Sequence, residues 1–192
     1  MRYLLAIVVT LLMCSACGSS AGIPVSTGNY LSTAIREVHE GQVVDGVPCL
    51  REDLPVNHFH VHVEVLLDGS QITVPAGIGV GRPWGAAADG FILTGSCFAW
   101  IHTHETSGVV HVFTQIGQSY TLGQIFSVWG QPLDANGALG VHESLKVLVN
   151  GKAFDGDPRL VPLSNLKNIV LELGKPPAAP PPAMYDFGTM RR

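Results

Sequence analysis

The chain has 192 residues and a formal net charge of −4, and 46% of its residues are hydrophobic while 14% are charged. This balance excludes a disordered polypeptide, and the length fits a single domain. The 11 lysines and arginines form no cluster, which argues against a surface that binds nucleic acid or anionic lipid.

The amino-terminal segment has the pattern of an export signal. Arg2 precedes an apolar run of about 11 residues, which is too short to span a bilayer because a spanning helix needs about 20. The pair Ala16-Cys17 resembles a bacterial lipoprotein cleavage site, at which Cys17 becomes the first mature residue and carries the lipid. The alternative is cleavage without lipid, after Ala16 or Ala21. The predicted location is therefore the cell envelope, with a membrane anchor at Cys17.

These features divide the chain into four predicted segments. They are a signal peptide at 1–16, a tether at 17–28, one β-rich domain at 29–174 and a proline-rich tail at 175–192 that is extended on the surface.

The first predicted element of the domain is a short helix. Leu31, Ile35 and Val38 recur at helical spacing, Asn29 is a suitable N-cap, and Gly41 is a suitable end.

Two of the four cysteines, Cys49 and Cys97, lie in the predicted domain. In an oxidising compartment we expect them to form a disulfide, which would tie the segment before the first histidine motif to the start of the second. The rival interpretation is a pair of thiolate metal ligands.

Residues 58–67 alternate with a period of two, which predicts a strand with His58, His60, His62 and Glu64 on one face. Asp68-Gly69 predicts a hairpin, followed by a return strand at 71–75, a loop at 76–90 and a short strand at 91–93.

The second half of the domain repeats these signals. Strands are predicted at 97–104, 109–113, 145–150 and 168–173, with turns at 106–108 and at Asn150-Gly151. Thr121 and Gln124 match a capping box that opens a helix ending at Gly130. The predicted fold class is α+β, mainly β, with a small mixed or antiparallel sheet or a barrel-like domain and one or two short helices.

Six of the eight histidines lie in two short motifs, HFHVH at 58–62 and HTHETSGVVH at 102–111. Neutral imidazole offers a nitrogen lone pair near pH 7, so this clustering indicates a transition-metal site. Strand residues i and i+2 lie about 6.5–7 Å apart on one face, whereas i and i+4 lie about 13 Å apart. We therefore expect His58 and His62 not to share an ion.

The preferred ligands are His60, His62, His102, His104 and His111. His58 then orients a ligand histidine, binds a second ion or is exposed to solvent.

Glu64 and Glu105 are the nearest carboxylates, and either could ligate, orient a histidine, act as a general base or simply be solvated. His39 and His142 stand apart and are predicted surface residues. The alternative for the whole cluster is a pH-sensing patch without metal.

Several segments resemble a family of largely uncharacterised bacterial secreted proteins, among them DGSQITVPAGIGV, CFAWIHTHETSGVVHV and YTLGQIFSVWG. The shared core is approximately His-Thr-His-Asp-x-Ser-Gly-x-Ile-His-x-Glu, and the resemblance covers most of residues 45–185. The positions that match this core are His102, His104, Ser107, Gly108 and His111. The sequence departs at Glu105, where Asp is usual, and around Phe113-Thr114, where an acidic residue is expected. The resemblance therefore implies no particular reaction.

The His-x-His strand followed by Glu64 also resembles the first motif of cupins, but the second cupin motif is missing. The cupin likeness therefore concerns ligand geometry and not the fold.

Three functions are compatible with these observations. The first is an envelope protein that binds copper or zinc, since all-imidazole sites suit both metals. The second is a metalloenzyme in which an open coordination position activates water or dioxygen, although no complete enzyme signature is present. The third is a protein-interaction module in which the metal only stabilises the domain.

Overall fold

The computed structural model describes residues 31–51 and 57–188. The predicted signal peptide, the tether with Cys17 and the predicted helix cap Asn29 lie outside these residues. Across the two described ranges, no helix is both long and apolar enough to cross a membrane.

The described part of the chain is mainly β, as the sequence predicts. The helix α1 spans Leu122–Trp129, and a 3₁₀ turn spans Pro158–Leu160. In chain order the strands are β1 (Val43–Val44), β2 (Val47–Leu50), β3 (Asn57–Leu67), β4 (Ser70–Ile72), β5 (Gly85–Ala86), β6 (Ile92–Thr94), β7 (Phe98–Ala99), β8 (Ile101–His102), β9 (Val109–Thr114), β10 (Leu133–Asp134), β11 (Gly137–Ala138), β12 (Leu145–Val149), β13 (Lys152–Ala153) and β14 (Lys167–Leu173).

The largest sheet is mixed and has seven strands in the order β13-β12-β14-β3-β9-β8, with β4 paired to the end of β3. β14 runs parallel to β3, whereas the other pairs are antiparallel. The described strands form an open sheet and not a closed barrel. Because β3, β9 and β8 are neighbours, both histidine motifs come to the same end of the sheet.

The two faces of β3 differ in composition because its residues alternate. Val61, Val63 and Val65 are at most 1% exposed and belong to the same buried cluster as Phe126 and Trp129 of α1. Burial of one such large apolar side chain contributes about 1.5–3 kcal/mol. The valine face therefore belongs to the same core as the helix, and the histidines of β3 project from the opposite face.

Cys49 and Cys97 form a disulfide, which confirms the prediction and excludes both sulfurs as thiolate metal ligands. Both cysteines are buried, at 1% and 0% exposure. Cys49 lies on β2, which pairs with β7 directly after Cys97. The bond thus fixes the segment that leads into β8 and its histidine.

The predicted capping box opens α1, and Gly130 ends it. The Gln124 side chain accepts a hydrogen bond of 2.9 Å from the backbone N–H of Thr121. Gly130 adopts the left-handed conformation, with φ at 83°, and its N–H donates to the carbonyls of Phe126 and Ser127. Local sequence therefore determines both ends of this helix.

The predicted helix around residues 31–38 is wrong, because this segment has no helical structure. Its backbone N–H groups bond to distant carbonyls instead, from Ser32 to Leu139 and from Arg36 to Trp129. Val38 is nevertheless 1% exposed and joins the core. The apolar spacing thus reflects packing against the end of α1, which a local pattern cannot distinguish from a helix.

The strand predicted at 97–104 is divided between two sheets. β7 pairs with β2, whereas β8 pairs with β9. At the break, the N–H of Trp100 donates to the carbonyl of Pro48, and the carbonyl of Trp100 accepts from the N–H of Phe113. His102 therefore lies on a strand, and His104 lies in the loop that follows it.

Both predicted hairpin turns are confirmed. The central residues have positive φ values, 50° and 77° at Asp68-Gly69 and 50° and 75° at Asn150-Gly151. This is the backbone of a type I′ turn, which suits the twist of two adjacent strands.

Residues 175–188 contain no helix or strand, and they run against the histidine face of the sheet. The Asn168 side-chain amide donates a 2.9 Å hydrogen bond to the carbonyl of Pro182. The ring of Tyr185 stacks on that of His62, with centroids 3.8 Å apart. Part of the tail therefore covers β3 and β14.

Candidate metal centre

The register of the central sheet places three histidines side by side. His60 of β3 pairs with His111 of β9, which in turn pairs with His102 of β8. All three are buried, with exposures of 9%, 5% and 3%. His58 lies two residues before His60, and His104 lies two residues after His102. Five imidazoles from both predicted motifs therefore converge on one face.

The first group of candidate ligands consists of His58, His60 and His111. The Nε2 atoms of His58 and His60 each lie 3.2 Å from the same Nδ1 atom of His111. An imidazole nitrogen directs its one proton or lone pair along a single line in the ring plane. Nδ1 of His111 therefore cannot form good hydrogen bonds with both Nε2 atoms at once. Three ring nitrogens are therefore directed at one small space.

The second group consists of His102, His104 and His111. Nδ1 of His102 lies 2.7 Å from the carbonyl oxygen of Ala99, and Nδ1 of His104 contacts the carbonyl oxygen of Ile92. A carbonyl only accepts, so each Nδ1 carries the ring proton. The two Nε2 atoms lie 3.1 Å apart, and in the neutral rings they meet lone pair to lone pair.

The nitrogen–nitrogen distances within each group fit nitrogens that bind the same cation. With metal–nitrogen distances of about 2.0–2.1 Å, two nitrogens on one ion lie about 2.9 Å apart at a right angle and about 3.3–3.4 Å apart in a tetrahedron. The observed separations of 3.1 and 3.2 Å fall between these limits. The carbonyl contacts of His102 and His104 also orient the rings, as is usual for metal-ligating histidines.

Phenylalanine rings frame both groups. Phe113 stacks on His58 with centroids 4.2 Å apart, and Phe91 stacks on His104 with centroids 4.7 Å apart. Phe98 lies 5.1 Å from His102. These rings restrict the imidazole orientations and give the cluster apolar walls.

Burial keeps three of the five rings, those of His102, His104 and His111, uncharged near pH 7. Desolvation, together with the positive charge that a protonated His104 would carry, lowers the pKa of His102 to about 3. Desolvation also lowers the pKa of His104 and, together with the neighbouring histidines, that of His111. These rings are therefore neutral near pH 7, which is the form that binds metal.

The lowered pKa values predict that the metal-free protein loses stability in acid. An unfolded chain takes up a proton on His102 as the pH falls through 6.5, whereas the folded protein does so only near pH 3. The stability contribution of this residue is complete above pH 6.5 and is lost progressively as the pH falls from 6.5 towards 3. Urea unfolding of chelator-treated protein at pH 7.5, 6 and 5 measures this loss, and a flat profile would contradict the burial of the cluster.

His62 differs from the expectation, because the structure places it outside both groups. Its Nδ1 lies 2.8 Å from Oδ1 of Asn168, and its Nε2 lies 3.0 Å from the carbonyl oxygen of Ser107. Tyr185 covers the ring. Both nitrogens are thus engaged by oxygen atoms, and the adjacent pair on β3 is His58 with His60 instead of the expected His60 with His62.

Gly108 explains why the Ser-Gly turn lies beside this histidine. Its φ is 84°, and a Cβ built there would lie 2.4 Å from the carbonyl oxygen of Val63 and 3.0 Å from Nε2 of His62. Only glycine lets the turn approach β3 this closely. The turn brings Val109 and then His111 back alongside the strand.

The carboxylates have no place in either group. Glu64 is half-buried on β3 and Glu105 is exposed, and within the described ranges neither belongs to a set of converging ligands. Glu105 acts on His104 only through its charge, which opposes the lowering of the pKa of that residue. His39 and His142 are exposed and lie outside both groups.

Three features of this site were missed in the sequence analysis. They are the phenylalanine frame, the Asn168 and Ser107 contacts that occupy His62, and Tyr185 in the tail. Only the phenylalanine frame could have been predicted in part from the local sequence, because Phe113 follows His111 by two residues and therefore lies on the same face of the strand. Asn168 and Tyr185 approach from distant parts of the chain.

Comparison of the chain with protein-family models, with curated proteins and with solved structures found no match. The site is therefore interpreted from its own geometry.

Proposed function

We propose that this protein is an exported, lipid-anchored protein of the cell envelope that binds a transition metal, copper or zinc, through the histidine cluster. The observation that carries the proposal is the 3.1 Å contact between the Nε2 atoms of His102 and His104. Each Nδ1 faces a carbonyl, so the two Nε2 lone pairs are directed at each other.

Such a contact is repulsive unless a cation lies between the two nitrogens. A proton is a poor candidate near pH 7, because burial lowers the pKa of His102 to about 3. A metal ion satisfies both lone pairs and leaves the carbonyl contacts intact. The contacts of His58 and His60 with His111 support the same conclusion on the other side of the cluster.

The chemistry of the donors supports copper or zinc. Imidazole suits copper, zinc, iron and nickel, and the general order of affinity favours copper among the divalent ions. Across residues 31–51 and 57–188, no carboxylate or thiolate joins either group, which disfavours magnesium, calcium and manganese.

Export and the lipid anchor rest on other observations. The Cys49–Cys97 disulfide supports an oxidising compartment. The apolar run after Arg2 and the Ala16-Cys17 pair support a lipoprotein signal.

The proposal is tested by loading the purified chain with Cu(II) or Zn(II), removing excess ion on a desalting column and measuring metal by elemental analysis. We expect at least one ion per chain. The triple variant His60→Ala, His102→Ala, His111→Ala removes one ligand from each strand and is expected to retain only background metal. Wild-type protein that emerges metal-free at pH 7.5 would overturn the proposal, and the exposed His39→Ala variant is the control.

A metalloenzyme is the second candidate, and one observation favours it. Each group supplies three histidines, and His58 at the edge of the first group is exposed. Catalytic zinc sites have three protein ligands and an open position, whereas structural sites have four. X-ray absorption of the loaded protein distinguishes them, since an additional oxygen ligand from water is expected only in an open site.

A further inference from the structure

The five candidate ligands fall into two groups and not one. Each group contains three histidines whose donor atoms all lie within 4.8 Å of one another, and His111 belongs to both. His58 and His60 lie on its β3 side, and His102 and His104 lie on its β8 side. The arrangement is that of two sites which share a ligand.

A single ion cannot use all five ligands in this arrangement. Two nitrogens bound to one ion lie at most about 4.2 Å apart, which is twice the metal–nitrogen distance. The five donors are not gathered into one group even at the wider limit of 4.8 Å, as far as residues 31–51 and 57–188 are concerned. One ion would therefore bind one of the two groups and not the other.

We propose that the cluster binds two transition-metal ions and that the imidazole ring of His111 bridges them. This inference rests on the proposed function and specifies how many ions the site holds. Nδ1 of His111 faces the Nε2 atoms of His58 and His60, each at 3.2 Å. The bridge assigns the other ring nitrogen, Nε2, to the second site with His102 and His104, whose ring centroids lie 5.3 and 4.6 Å from that of His111.

The bridge has a definite proton balance. A neutral imidazole has one N–H and one lone pair, so it can bind one ion without losing a proton. Binding of the second ion requires the remaining N–H proton to leave for the solvent, and the ring becomes an imidazolate that donates one lone pair to each metal. No oxidant or reductant takes part.

The two sites differ in access. His58 is exposed, so the site on the β3 side opens to solvent. On the β8 side, His102 is 3% exposed and Phe91 and Phe98 pack on the histidine rings. One ion is therefore readily exchanged, and the other is enclosed.

The test is a titration of the purified full chain with Cu(II), followed by elemental analysis and electron paramagnetic resonance. Two ions per chain are expected. The signal is expected to grow up to the first equivalent and to fall as the second is added, because an imidazolate bridge couples the two copper spins.

Two matched double variants separate the sites. His58→Ala with His60→Ala and His102→Ala with His104→Ala are each expected to retain one ion per chain with an uncoupled signal. The exposed His39→Ala variant is expected to retain both ions and the coupling. Circular dichroism shows that each variant is folded before it is loaded.

The outcomes separate this inference from the proposed function. Wild-type protein that binds one ion per chain overturns the two-ion site and leaves metal binding intact. Two ions with uncoupled signals overturn the bridge. Wild-type protein that binds no ion overturns the proposed function itself.

Discussion

Replacing His111 with alanine is expected to weaken metal binding more than any other single histidine substitution. His111 belongs to both groups of candidate ligands, whereas each other member belongs to one. Loss of a group that merely supports a ligand costs about 10–100-fold in affinity, so loss of a shared ligand is expected to cost at least about 100-fold. Competition with a chelator of known affinity measures this loss.

His62→Ala is the matched control for that experiment. His62 is a buried histidine on the same face of β3, but both of its ring nitrogens contact oxygen atoms outside the cluster. We expect this variant to lose about 1–3 kcal/mol in the free energy of unfolding, because it leaves buried polar partners unpaired, and to change metal affinity by less than about tenfold. The assignment of ligands would be wrong if His62→Ala lost metal and His111→Ala retained it.

Removing the disulfide is expected to produce the largest loss of stability. Cys49 and Cys97 are 48 residues apart in sequence, and a cross-link of that span lowers the entropy of the unfolded chain by the equivalent of about 4 kcal/mol. Domains are stable by about 5–15 kcal/mol in total, so the variant Cys49→Ala with Cys97→Ala is expected to unfold at a much lower urea concentration.

Chemical reduction of the wild type provides the control for the cysteine variant. Reduced wild-type protein and the double variant are expected to unfold at similar urea concentrations, since both lack the cross-link. A loss below about 1 kcal/mol in both would show that the unfolded chain is already compact around this loop. The variant also tests the site, because the bond fixes the segment before β8, which carries His102.

Strictly local signals predicted much of the fold. The period-two alternation gave β3, the Asp68-Gly69 and Asn150-Gly151 pairs gave two turns, and the capping box gave α1. Each of these patterns lies within a few consecutive residues, so the sequence shows it directly. The disulfide could be predicted because only two cysteines, Cys49 and Cys97, lie in the predicted domain.

The failures depend on contacts between distant residues. The segment at 31–38 has helical spacing, but hydrogen bonds to Trp129 and Leu139 hold it in another conformation. The alternation of β3 placed His58, His60 and His62 on one face correctly but could not say which pair shares a site. That choice depends on Asn168, 106 residues after His62, and on the Ser107 carbonyl.

The parallel pairing of β3 with β14 has a consequence for the order of folding. β14 is the last strand of the described chain, yet it pairs with residues 61–67 of β3, which include His62 and directly follow His58 and His60. Until residues 167–173 arrive, residues 61–67 of β3 have unpaired backbone groups on that side, next to the segment that carries the candidate ligands His58 and His60. A nascent or truncated chain would therefore offer an open strand edge for self-association close to these histidines. Strand β14 thus protects the protein from misassembly as well as completing its sheet.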